Sequence, residues 1–342
     1  MNIIYICKYC NNNFDSIASA TLHSFRKHPK ESQVLHPIQT EEGIIGGYRK
    51  EPMVSIVIPT FNRKAVLLEN LEHLRPIWND VEILVIDDYS QDGTDMAIMH
   101  FITNNKNPNF RAIRNQSNLG TVKSLNIGIQ EASNNHIFIL ADDNFLQNPK
   151  EAIGIIKASD ENFMATHLEM ARPRGFIAEL KFRLYKIPAE YLAGEPYNYN
   201  GSRLKTVNWA NNAFIFDRRI GILFEEDAYR YNYFRTESEF EKRARDKGIK
   251  IHYHPEIAIV DKVHQSGGLR VNDRKKFLLY CIYNHIVFLK RNYPMSKYYK
   301  IPFYLFLKTA THPQFTGSII STIIKANRIT KVNITKDTKY NP

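Results

Sequence analysis

Two pairs of adjacent carboxylates, Asp87-Asp88 and Asp142-Asp143, each follow a short run of β-branched and apolar residues in this 342-residue chain. A cluster of acids at one place repels a phosphate, so a phosphate ligand there needs a divalent cation between. Oxygen donors favour Mg²⁺ or Mn²⁺. The expected ligand is therefore a metal-chelated nucleotide diphosphate. A second constellation lies near the N-terminus, where Cys7 and Cys10 form a tight knuckle. Twelve residues separate Cys10 from His23 and four separate His23 from His28. Two thiolates and two imidazoles at that spacing complete a tetrahedron around Zn²⁺.

The carboxylates need a frame. Runs at 54–58, 82–86, 110–113 and 136–140 recur every 26 to 28 residues, a spacing that predicts βαβ units and a parallel sheet. Helical stretches at 64–74, 94–103 and 120–132 fill the intervals. The first three runs are almost continuously apolar, as strands covered on both faces are. Ligands of such sheets bind beyond the carboxyl ends of the strands. There stand Pro59, Thr60, Phe61 and Asn62, then Asp87 and Asp88, then Ala141, Asp142, Asp143 and Asn144. For Asp87 two readings stand, a turn cap and a functional group. Ser90 and Asp92 serve the turn before Gly93. A dinucleotide site is excluded, because the Gly-x-Gly-x-x-Gly turn is missing after the first strand, and no Walker loop occurs.

The segments VSIVIPTFNR (54–63), VIDDYSQDGT (85–94), Asn118-Leu-Gly120 with Asn126-Ile-Gly128, and ILADD (139–143) resemble the family 2 glycosyltransferases in order and interval. The likeness covers residues 53–264. It implies a GT-A fold, α/β with a Rossmann-like mixed sheet, and a nucleotide-sugar-dependent hexosyltransferase that inverts. In that family Thr60 and Phe61 would line the base pocket and Asp88 would bond the base. Pro59, Asn62, Asn118 and Lys123 complete the donor-binding set. Asp143 would hold Mn²⁺ or Mg²⁺, and Asp142 would contact the ribose or the metal's water shell. Ala141 stands where the family places a first acid. Around Cys7 and His28, Tyr5 and Phe14 complete a resemblance to two-Cys-two-His zinc fingers, which implies a ββα unit over residues 1–30 followed by a linker at 31–51.

Sugar transfer with inversion needs a carboxylate to take the acceptor proton. The segment 236–240 resembles the family's Glu-Asp-x-Glu-Leu stretch, which puts the base on Glu237, with Asp227 in reserve. Thr236-x-x-Glu239 also spells a capping box opening a helix to Lys247. Glu237 then falls in the first turn, where the helix dipole favours its ionised form. Residues 207–216 predict a strand interrupted by the polar stretch 209–212, with Trp209 either core or facing the ligands. His264 follows a strand-like run, much as a metal-binding His does in some relatives.

These assignments give a transferase domain over 52–265, split at 150 into a nucleotide-binding and an acceptor half, and a helical extension over 266–342. In the extension aromatics interleave with Lys and Arg. That pattern suits either an anionic membrane surface or helices packed on the domain with a basic outer face. Three cysteines make no disulfide framework, and no 18-residue apolar span occurs. The chain is thus expected to be cytoplasmic, touching a membrane without spanning it. The net charge of +11 draws it toward an anionic partner. The expected partners are a nucleotide-sugar donor and a glycan, glycolipid or glycoprotein acceptor. The rival is a nucleic-acid-binding finger protein whose transferase-like domain is inactive.

Overall fold

A computed structural model describes residues 54–105, 107, 109–169, 192, 201–210, 212–226, 229, 234–262, 273–296 and 298–328, with three short strands at 5–6, 13–14 and 34–35. The zinc-ligand set Cys7, Cys10, His23 and His28 lies outside the described residues, as do Asp227 and His264. Of the N-terminal unit only β1 (Tyr5–Ile6) and β2 (Asn13–Phe14) are described, paired antiparallel with Tyr5 opposite Phe14.

The four apolar runs form β4 (Val54–Thr60), β5 (Glu82–Asp87), β6 (Phe110–Arg114) and β7 (His136–Ile139). They are parallel in the order β7-β4-β5-β6. Their connections are α1 (Lys64–His73), α2 (Thr94–Asn105) and α3 (Thr121–Glu131). Period-two alternation sends the side chains of β4 to two separate cores. Ile56 and Ile58 join Leu67, Leu71 and Ile98 on one face. Val57 joins Val122, Leu125 and Ile129 on the other. Gly128 lets α3 lie close against that second face, since a Cβ there would stand 2.3 Å from a Val57 methyl.

The second half supplies β8 (Asn144–Leu146), α4 (Pro149–Ala158), β9 (Phe163–Glu169), β10 (Lys205–Val207), β11 (Phe214–Asp217), α5 (Thr236–Asp246) and β12 (Ile251–Asp261). With β3 (Val34–Leu35), the described strands make one mixed sheet in the order β10-β12-β9-β11-β7-β4-β5-β6-β3, and β8 pairs β12. Two expectations change here. Residues 207–216 are not one interrupted strand, because β10 pairs with β12 while β11 inserts antiparallel between β7 and β9. Within the stretch taken as linker, Val34 and Leu35 pair with Ile113 and Ala112 of β6, an apolar couple that satisfies the outer edge of the sheet.

Beyond β12 come α6 (Arg274–Asn292), α7 (Lys300–Thr311) and α8 (Thr316–Arg328). Leu279, Ile282, Ile286, Phe288, Ile319 and Ile323 bury against one another together with Trp209 and Tyr229, which precede the tail in the chain. Of the two readings of Trp209 the structure bears out core. Its ring meets the edge of Phe288 at 6.1 Å and carries the Arg245 guanidinium 4.2 Å above it.

Candidate active site

The carboxyl ends of β4, β5 and β7 meet at one edge. Thr60 lies opposite Asp87, and the Asp88 amide donates to the Thr60 carbonyl at 2.9 Å. On the other side the Leu140 amide donates to the Val57 carbonyl at 3.1 Å, so the turn at 141–144 rises beside Thr60. Asn70, buried on α1, donates to the carbonyls of Ala141, Asp142 and Asn144 at 3.3, 3.2 and 3.0 Å. One amide group thereby sets the path of the turn bearing both aspartates. The Lys262 amide, just past β12, closes it from the far side with a 3.0 Å bond to the Asp143 carbonyl.

The side chains of this turn converge on Arg63. Its guanidinium lies 2.6 Å from one Asp142 oxygen and 2.9 Å from an Asp143 oxygen. The other Asp142 oxygen accepts the Thr60 hydroxyl at 2.8 Å. Burial, reinforced by the Asp143 charge, pushes the Asp142 carboxyl up to about 6 despite the opposing pull of Arg63. Burial also works against the charge of Arg63, but its two carboxylate partners outweigh it and hold the guanidinium above its ordinary range. Arg63 was visible in the sequence only as the end of a motif. Its partners lie 79 and 80 positions on, so no local pattern shows its task.

Arg63 also tests the fit of a metal. Two carboxylates already share one positive charge, and their oxygen donors suit Mg²⁺ or Mn²⁺ in part. Among the described residues no group of three or more His, Cys, Asp or Glu side chains gathers as a metal cluster. A divalent ion held by these two carboxylates would need its other ligands from elsewhere.

The residues after β4 and β5 are held as two laced loops. Asn62, at a left-handed φ of 53°, donates its amide to Ser90 Oγ at 2.8 Å and accepts from the Gln91 amide at 2.7 Å. Asp92 accepts from the amides of Lys64 and Thr94, so it joins the starts of α1 and α2. One oxygen of Asp87 accepts the Ser90 amide at 3.1 Å, the cap reading, and burial raises its carboxyl above the usual range. Asp88 has an internal task. Its oxygens accept from the Leu119 and Gly120 amides and from Asn115 Nδ2, each at 2.8 Å, fixing the loop that precedes α3. Phe61 is half-buried and Asn118 exposed on these loops, Pro59 half-buried at the end of β4, and Lys123 half-buried in the first turn of α3. Asn126 secures the segment after β11, exchanging bonds of 2.9 and 2.8 Å with the Phe224 carbonyl and amide.

The start of α5, which carries Glu237, is tied through Glu241 to the residues before β11. Phe214 opposite Ile139 puts the residues before β11 level with the residues after β7. The Ala210 amide of that connection bonds the Glu241 carboxylate, one helical turn beyond Glu237. The capping box does not form. The helix is preceded by Arg235 at φ 86°, with no side-chain cap. A non-glycine residue in that conformation is strained. Here it is tied down by its Nε, 3.1 Å from His285 Nδ1 of α6. Glu239 instead accepts from Tyr229 at 2.7 Å and from the Asn292 amide. Burial also overrides the expected dipole effect, raising the Glu237 carboxyl above its ordinary value. Buried Glu241 is raised well above, by desolvation and then by the charge of Glu237. In the acidic cluster at 225–227, Glu225 pairs with Arg243 at 3.1 Å and Arg291 at 3.3 Å.

Residues 55–161 match the family model described as Glycosyl transferase family 2. An uncharacterized glycosyltransferase of Haemophilus influenzae is 29% identical over 100 residues, which are 29% of this chain and 39% of that protein. The chain spans only 31–39% of the length of the curated relatives it matches. Among solved structures, S. aureus TarS 1-349 in complex with UDP-GlcNAc aligns with a TM-score of 0.53 and 14% identity, over 80% of this chain and 79% of that one. The mannosyltransferase PcManGT of Pyrobaculum calidifontis, in complex with GDP-Man and Mn²⁺, aligns with a TM-score of 0.51 and 15% identity, over 93% and 88%. The mixed α/β sheet is thus the one found in GT-A glycosyltransferase structures.

Proposed function

We propose that this chain is a nucleotide-sugar-dependent glycosyltransferase that moves a hexosyl group from a nucleoside diphosphate to an acceptor hydroxyl with inversion. The observation that carries the reading is the Asp142–Asp143 pair held by Thr60, Arg63 and Asn70 at the strand ends, inside the stretch that matches the family model. Thr60, Phe61, Asn62, Asp88, Asn118 and Lys123 stand on loops that can border a nucleotide, with Asp88 fixing the loop at 115–120 as well as facing the base. Asp143 and Asp142 are the residues that would hold a divalent ion, which when bound would supply charge to stabilise a departing diphosphate. Glu237 takes the proton of the acceptor hydroxyl as its oxygen attacks the anomeric carbon and the bond to the diphosphate breaks. Its raised carboxyl suits a base working nearer neutrality than an ordinary glutamate. The same reading assigns Zn²⁺ to Cys7, Cys10, His23 and His28.

Thermal shift and calorimetry with UDP-, GDP- and dTDP-sugars, with and without Mn²⁺, test this. One donor class should stabilise the chain in a Mn²⁺-dependent way, and Asp143→Ala should abolish that dependence. If no nucleotide-sugar binds, or if Asp143→Ala binds as tightly as the parent, the assignment fails.

A further inference from the structure

Between Arg274 and Arg328 the chain carries ten Lys and Arg and no Asp or Glu, so ten of its eleven excess positive charges lie in the three-helix tail. Some are answered internally, as Arg291 is by Glu225 and Glu239. Lys275 and Lys325 are exposed. In the same tail, on α7, on α8 and in the turn between α6 and α7, large apolar side chains face solvent. Phe306 is 66% exposed, Tyr298 64%, Met295 61% and Ile324 47%. On α7 the exposed Pro302, Phe306 and Ala310 recur every four residues, opposite buried Ile301 and Tyr304. On α8 Ile320 and Ile324 point out while Ile319 and Ile323 fill the core. One side of each helix is therefore used in packing, and the other carries exposed apolar side chains, with Lys325 exposed next to Ile324 on α8.

We propose that this outer face of α7 and α8, with Met295 and Tyr298 of the preceding turn, docks on an anionic lipid bilayer. Charge complementarity selects the occupant. Residues 1–53 hold six basic and five acidic side chains, so the N-terminal segment brings no countercharge. A second copy would bring the same sign. A nucleic acid would meet the lysines but gives no reason for exposed Phe306, Met295 and Ile324, whereas lipid headgroups over an acyl boundary satisfy both features. The contact is interfacial, because among the described residues no helix is long and apolar enough to cross a membrane. It is independent of the transferase reading.

The test is co-sedimentation of the full chain with vesicles of phosphatidylcholine alone or mixed with phosphatidylglycerol, with no donor present. The parent should partition onto the anionic vesicles and scarcely onto the neutral ones. Phe306→Ser with Ile324→Ser, both at exposed positions, should weaken binding at least tenfold while leaving the circular dichroism unchanged. Phe306→Trp gives a second readout, since Trp78 and Trp209 are only 7% and 5% exposed. The emission of the introduced indole should shift blue and be quenched by brominated lipid. Equal partition of the parent onto both vesicle types overturns the proposal, as does an unshifted emission from the Phe306→Trp variant. So does tight duplex DNA binding that the Phe306 and Ile324 changes leave intact while vesicles go unbound.

Discussion

Arg63 occupies the place that decides the electrostatics of the crevice, bridging Asp142 and Asp143. Its removal takes the cation from between two buried like charges, a loss on the order of 3–5 kcal/mol when one partner of a buried pair is deleted. Arg63→Ala should melt at a lower temperature than the parent in metal-free buffer. It should also gain more from Mn²⁺, since the ion no longer competes with an internal cation; equal Mn²⁺ shifts in both proteins would contradict this. The two glutamates of α5 separate in the same way. Glu237→Gln should lower kcat by roughly 10²–10⁴, the ordinary contribution of a general base. Glu241→Gln reproduces the protonated form that burial favours and should transfer nearly as well as the parent at neutral pH. A base acts only when deprotonated, so the rate must rise with pH through the raised Glu237 value. The acidic limb of kcat/KM should fall above the ordinary 4.5.

The elements that hold these residues are fastened at their amino ends by Glu82. Its carboxylate accepts from Ser55 Oγ and the Ser133 amide and pairs with Arg111 at 2.8 Å. Burial opposes the charge, but those bonds prevail and hold the carboxyl below its ordinary value. A depressed acid stabilises the fold fully above its unfolded value of 4.5 and loses that contribution as pH falls through the folded one. Glu82→Gln should therefore cost about 1–3 kcal/mol in denaturant unfolding at pH 7, with the gap closing below pH 4.5. Strands β4 to β7 and their helices were legible because buried parallel strands must be apolar along their whole length and recur at the βαβ interval. Asp142 and Asp143 were legible because they follow such a run directly. The split of residues 207–216 was not, since no local pattern says that Val207 pairs with Ile251 while Phe214 pairs with Ile139. Glu239 misled for the same reason, its partners Tyr229 and Asn292 lying 10 and 53 positions away.

At the scale of the molecule, Glu239 of α5 is a place where the helical tail is joined to the rest of the described chain. Tyr229, Asn292 and Arg291 meet on one carboxylate, and Arg235 meets His285 one turn away. Glu239→Ala should cost roughly 1.5–3 kcal/mol, as lost bonds to a charged group do, and should speed amide exchange along α6 ahead of β4 and β5. Unchanged exchange in α6 would mean that the apolar cluster alone fixes the tail. A final consequence follows from the two residues, Val34 and Leu35, that lie along β6. Shortening the chain to start at Val54 would leave every crevice residue in place yet bare the flank of the outermost parallel strand, whose unmet amides and carbonyls invite a neighbouring molecule to add itself. Such a trimmed protein should self-associate as its concentration rises, an effect easily mistaken for natural assembly.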